Sequence, residues 1–180
     1  MQEFNFGEIS ISIPFEWYIH DELSIQNIIN QAKARYGNKI NPAQKRLLVS
    51  NDRKEYPRAT VRLSTLPLDK ELISAIEEIS RANRSDRYIW AQELSQEWKK
   101  AITVRKIYPL DVEWIGQSNI PAVLIHYDRA GSYDSNSTWY VRIYQFHGKY
   151  NNYLLTISYD RSDKKFSDIL TKVKNSVSYP

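Results

Sequence analysis

The sequence predicts an α/β protein, an α/β/α sandwich whose mainly antiparallel sheet is covered by helices on both faces. Three observations carry this. Residues 103–160 hold consecutive β-type apolar runs joined by short, turn-rich connections, the pattern of antiparallel neighbours. Two long stretches and the C-terminal segment instead repeat apolar residues at helical spacing. The last strands are apolar in both alternation classes, with Leu154 on one side and Leu155 and Ile157 in other positions, so both faces of the sheet need a cover.

Taken in order, "EISISI" at 8–13 alternates strictly, with Ile9, Ile11 and Ile13 on one side and Ser10 and Ser12 on the other, and Pro14 ends it. Trp17 is expected to fold back over that apolar face. Asp21 or Ser24 can cap a helix carrying Leu23, Ile25, Ile28, Ile29 and Ala32, which stops near Gly37. "RLLVSN" (46–51) and "YPRATVRLST" (56–65) read as strands joined by the turn "NDRKE", with Ala59, Val61 and Leu63 alternating with Arg58, Thr60 and Arg62. Leu68, Leu72, Ile76 and Ile79 predict the next helix. "RANRSD" interrupts it, and Ser85 or Asp86 can cap a second run in which Trp90, Leu94 and Trp98 form a stripe expected to face the core. "TVRKIYPLDVEWIG" reads as one strand kinked at Pro109, followed by strands at 120–128, 137–148 and 152–160, the last two joined by a turn at Gly148-Lys149. Phe166, Ile169, Leu170, Val173 and Val177 mark a final helix starting at Ser162 or Asp163.

A chain of 180 residues is one ordinary domain, 1–180, and can bury a core without metal or disulfide. It has no cysteine, which excludes a thiol nucleophile and a Cys-based zinc site. The net charge of +4 is unevenly spread: residues 1–32 carry five acids and no Lys or Arg, whereas 33–62 carry nine bases against two acids. That basic segment, with Arg46, Arg53, Lys54, Arg58 and Arg62, is a candidate patch for nucleic acid or an acidic partner. No apolar leader or membrane-length run is apparent. The reading is a cytoplasmic protein if Met1 is the native start, and an exported or lipid-anchored one if a leader was removed.

Chemistry is sparse. The three histidines, His20, His126 and His147, share no metal-ligand spacing. No GxSxG elbow and no glycine-rich phosphate loop occurs. The enzymatic alternative is a hydrolase using the strand-end carboxylates Asp128, Asp134 and Asp160, although Asp after a strand is a routine turn former. The reading is therefore of a non-enzymatic protein with no catalytic residue, cofactor or metal, whose partner is another protein; nucleic acid is the less favoured partner. Tyr-Asp-Arg occurs twice, at 127–129 and 159–161, each time closing an apolar run. If the two runs lie parallel with 137–148 between them, both words emerge at one sheet edge about 10 Å apart. Tyr127, Asp128, Arg129, Trp139, Tyr159, Asp160 and Arg161 then form the favoured docking patch.

"FNFGEISISIPFEW" at 4–17, "NIPAVLIHYD" at 119–128, "HGKYNNYLLTISYD" at 147–160 and "FSDILTKVKNSV" at 166–177 resemble the strand, turn and helix punctuation of the PsbP-like family. That family takes in the extrinsic photosystem II subunit, a Ran-binding import factor and bacterial lipoproteins. The resemblance spans the first 17 and about the last 60 residues; the long, two-part helical middle departs from it. It implies an α/β/α sandwich doing accessory, adaptor or chaperone-like work, and it carries over no catalytic residue.

Overall fold

The computed structural model describes residues 1–36, 46–52, 57–99, 102–132 and 134–179. The chain opens with a hairpin. β1 (Gln2–Phe6) pairs antiparallel with β2 (Ile9–Ile13) across a turn in which Gly7 takes a positive φ of 70°. After the two-residue β3 (Tyr18–Ile19) comes α1 (Glu22–Tyr36), whose first turn is closed by Asp21, its carboxylate accepting from the Ser24 amide at 2.7 Å. Then follow β4 (Arg46–Ser50), β5 (Ala59–Leu66), α2 (Glu71–Arg81), α3 (Arg84–Trp98), β6 (Val104–Ile107), β7 (Asp111–Ile115), β8 (Ile120–Ala130), β9 (Thr138–His147), β10 (Asn152–Asp160) and α4 (Lys165–Asn175).

Eight strands form the main sheet in the order β3-β4-β5-β10-β9-β8-β6, with β7 also paired to β8, and every pairing is antiparallel. The β5–β10 pairing joins the two halves of the chain at the centre of the sheet. Alternation then sorts the side chains. Val49, Val61, Leu63, Leu124, Tyr144, Phe146, Tyr153 and Leu155 point to a first face. There they share one core with Ile9, Ile11 and Ile13 of the hairpin and with Phe166, Leu170 and Val173 of α4. Val123 points to the second face. It shares a smaller core with Leu72 and Ile79 of α2, Ala91 of α3 and Leu110. The sheet is thus covered on both faces, as the apolar residues in both alternation classes of its last strands require. Trp17 is buried against the first core, edge-on to Phe166 with ring centroids 6.1 Å apart.

Several expectations need correction. β1 was not anticipated. The single strand kinked at Pro109 is two strands, β6 and β7, with one extra residue between their registers on β8: Ile107 lies opposite Tyr127 and Asp111 opposite Leu124; both still run along β8. The cap of α3 is Asn83, whose side chain accepts from the amides of Ser85 and Asp86 at 2.8 and 3.0 Å, rather than Ser85 or Asp86. Of the Trp90–Leu94–Trp98 stripe, Trp90 packs half-buried against the second core, but Leu94 does not. Leu94 is 46% exposed, while Ala91 and Ser95 are buried, so the small side chains sit where the helix comes closest; the Trp98 side chain lies outside the description. In α1, Leu23 is exposed and Ile25 and Ile29 are only half-buried. Lys164 occupies the N-cap of α4 with no side-chain bond, the role expected of Ser162 or Asp163.

Candidate functional site

β8 and β10 run in the same direction with β9 between them, and both Tyr-Asp-Arg words close at the same edge of the sheet. Their registers differ by one residue. Asp128 lies opposite Tyr140, which lies opposite Tyr159; Arg129 lies opposite Trp139, which lies opposite Asp160. Successive side chains in a strand point to opposite faces, so the expected patch is divided. Asp128 and Tyr159 lie on the first face with Tyr140. Tyr127, Arg129, Trp139 and Asp160 lie on the second. Arg161, just beyond β10, turns to the first face, where it meets Asp128.

The first-face half is a closed network. The Arg161 Nε donates to Asp128 Oδ1 at 2.8 Å, Tyr108 donates its hydroxyl to Asp128 Oδ2 at 3.0 Å, and Arg161 also donates to the Tyr108 oxygen at 2.9 Å. The guanidinium of Arg161 lies 4.3 Å, and that of Arg142 4.9 Å, from the centre of the Tyr140 ring, a cation–π arrangement using both. His126 stacks on Tyr108 with ring centroids 4.8 Å apart. Its Nε2 lies 3.2 Å from the Pro109 carbonyl and its Nδ1 2.8 Å from the Tyr140 hydroxyl. A carbonyl only accepts, so the neutral ring donates through Nε2 and accepts from Tyr140 through Nδ1. Both carboxylate oxygens of Asp128 are engaged. This half ties β6, β8 and β9 to the end of β10.

Burial pushes the His126 imidazole below its usual value; the Arg142 charge acts the same way, and the Pro109 bond, Glu113 and Asp111 act against it. The unfolded chain therefore takes up a proton near pH 6.5 that the folded chain accepts only at lower pH, and stability falls as the pH drops through that window. Thermal melts at pH 7.5, 6.5 and 5.5 are expected to show this loss, and His126→Gln to flatten the slope. The His20 imidazole, also held low by burial, leaves a residual slope. An unchanged slope in His126→Gln would contradict the assignment.

The second face holds the other half. Arg46 and Arg62 point there from β4 and β5, and Arg129 points there from β8, three strand spacings beyond β5. Arg129 lies over the Trp139 ring at 5.1 Å and donates to the Ala130 carbonyl and the Ser132 hydroxyl at 2.9 and 3.1 Å. The Arg62 guanidinium is pressed below its usual value, first by loss of hydration and then by the charge of Arg46 and, more weakly, that of Arg129, with Tyr127 acting the other way. It makes no hydrogen bond or ion pair with any described residue. Tyr127 is buried beside this row, and burial pushes its phenol up. Sequence reasoning put Arg62 and Arg129 in different patches. Arg62 is the one charged residue of β5, whereas Arg129 directly follows Asp128 in β8; what was missing was the strand order bringing β5, β10, β9 and β8 together.

Of the predicted basic patch, Arg53 and Lys54 lie outside the described residues. Arg58 faces Asp160 at 3.7 Å and belongs to the sheet edge. The carboxylates do not form a hydrolytic pair. Asp128 and Asp160 point to opposite faces, and Asp160 is held by the Ser162 amide and hydroxyl at 3.0 and 2.8 Å. Asp134 caps its own loop by accepting from the Asn136 amide. Among the described residues no three His, Asp or Glu side chains are grouped as metal ligands, and no helix is long and apolar enough to cross a membrane.

No protein-family model and no curated protein matches the sequence. Solved structures do match in shape. The solution structure of cyanobacterial PsbP (CyanoP) from Synechocystis is similar with a TM-score of 0.59 at 7% identity, over 99% of this chain and 92% of that one. A Bacteroides thetaiotaomicron protein gives 0.49 at 7% identity over 96% of this chain, which spans only 45% of that longer chain. A Mog1 point mutant gives 0.45 at 7% identity, over 99% and 95% of the two chains. The CyanoP match agrees with the resemblance of the chain's opening and closing segments, and the fold of this protein is PsbP-like.

Proposed function

We propose that this protein is a non-enzymatic docking protein that holds an acidic surface of a partner protein on the sheet face bearing Arg46, Arg62 and Arg129. The observation that carries the reading is Arg62: a guanidinium short of hydration, on a face it shares with Arg46 and Arg129, with no described acceptor of its own. Crowding of like charges raises the energy of the free protein and is relieved by an acidic partner, which favours association and steers encounter. Trp139 under Arg129 adds a rigid aromatic of the type favoured at interface hot spots. The PsbP-like fold supports a binding role by analogy alone.

The test is site-resolved. Isotope-labelled protein is titrated with a capped hexaglutamate peptide while the Nε–H resonances of Arg62 and Arg129 are followed. Both are expected to move together, and Arg62→Glu is expected to stop the movement at Arg129 and weaken binding at this face by about tenfold, with melting temperature unchanged or raised. Resonances that stay still would refute the reading. Tighter binding of a short DNA duplex at the same arginines would replace the protein partner with nucleic acid.

A further inference from the structure

A second surface lies at the far edge of the sheet. β6 ends the strand order, and α3 runs beside it, leaving a groove of about 720 Å3. Arg84, Tyr88, Gln92 and Lys99 line it from the α3 side, Arg105 and Lys106 line it from β6, and among the described residues no Asp or Glu does. The Arg105 guanidinium is tied to the Ser135 and Asn136 carbonyls and the Thr138 hydroxyl, all neutral acceptors, so its charge is not cancelled. Lys106 holds its ammonium 4.6 Å over the Tyr108 ring.

We propose that this groove takes an extended acidic segment of a partner protein, added as a further strand to β6. The backbone is set for it. The Tyr108 amide donates to the His126 carbonyl, so Tyr108 and His126 are a hydrogen-bonded pair of the antiparallel ladder, and the alternation turns the amide and carbonyl of neighbouring Ile107 outward, away from β8. An incoming strand meets both groups, and its alternate side chains meet the cations on either flank. Charged edge strands resist pairing with copies of themselves; Arg105 and Lys106 repel a second β6 and attract a glutamate-bearing strand. The surface is independent of the arginine row, so Arg62→Glu leaves it intact and the two readings fail separately.

The probe is a labelled peptide of about eight residues alternating glutamate and valine, a typical strand length, followed by fluorescence anisotropy and by the Ile107 amide resonance. Binding is expected to shift that resonance and to weaken about tenfold when Arg84 and Lys99, both on the exposed side of α3, are reversed to glutamate. The same peptide methylated on alternate backbone nitrogens is expected to lose binding, because the strand-forming donors are gone. Equal binding by the methylated peptide, no effect of the double reversal, or a still Ile107 amide would each overturn the proposal.

Discussion

Phe146→Ala is expected to lower unfolding free energy by about 4 kcal/mol, the range for truncating a fully buried aromatic. Phe146 has no exposed surface and stacks on Tyr153, ring centroids 5.4 Å apart and planes 17° from parallel. Its loss leaves a void on the first face and also loosens Tyr153. The Tyr153 hydroxyl accepts from the Glu8 amide at 3.3 Å, and the Glu8 carboxylate accepts from the Tyr150 and Asn151 amides at 3.0 and 3.4 Å. The cavity therefore undermines the contact that seats the opening hairpin on the β9–β10 turn. Urea unfolding measures the effect; a loss below about 1 kcal/mol would mean that the first-face core is not packed as described.

The second large effect is expected from Gly116→Ala, at about 3 kcal/mol or more, summing the left-handed backbone penalty and the overpacking. Gly116 has a φ of 70°, and a Cβ there would stand 2.0 Å from the Val177 carbonyl oxygen, which is backbone and cannot swing aside. The Gly116 and Gln117 amides donate to the Lys174 and Val177 carbonyls at 3.2 and 3.1 Å, so moving this turn strips the end of α4 of its partners. Gly7→Ala is the control. Gly7 shares the φ of 70°, but its Cβ would meet only the Tyr153 hydroxyl at 3.0 Å, the end of a side chain. Its cost is expected near 1 kcal/mol, the backbone penalty alone. Equal losses in the two variants, measured by urea unfolding, would show that the clash at Val177 is not real.

The strands from β8 to β10 and the helix α4 were legible because period-2 and period-3.6 patterns there are nearly unbroken and the turns carry their own chemistry. β1 was not, since only Phe4 and Phe6 of its five residues are apolar and its partner is joined by a two-residue turn. The stripe in α3 is a partial guide: Trp90 packs against the second core, but Leu94, a large apolar residue at the same spacing, faces outward. The helix instead approaches its neighbours through Ala91 and Ser95, where small side chains permit contact. The repeated Tyr-Asp-Arg words marked a real sheet edge, but which face each residue takes depends on register across two strand pairings, and one residue of offset sends equal letters to opposite faces. The arginine row needed the strand order as well, since Arg62 and Arg129 stand 67 positions apart in the chain.

The contact between Ser10 and Ser178 has a consequence for how this protein is made. Each of the two residues donates its amide to the other's carbonyl, at 2.8 and 3.1 Å, and the Ser12 amide donates to the Ser176 hydroxyl. The opening hairpin is thus completed by residues that stand 164 to 168 positions later in the sequence. During synthesis the isoleucine face of the hairpin waits, without α4, for about 160 further residues, long enough at ordinary elongation rates for holding chaperones to engage it. Synthesis of α4 and of the residues just after it, rather than any earlier point in translation, is when this fold can first close.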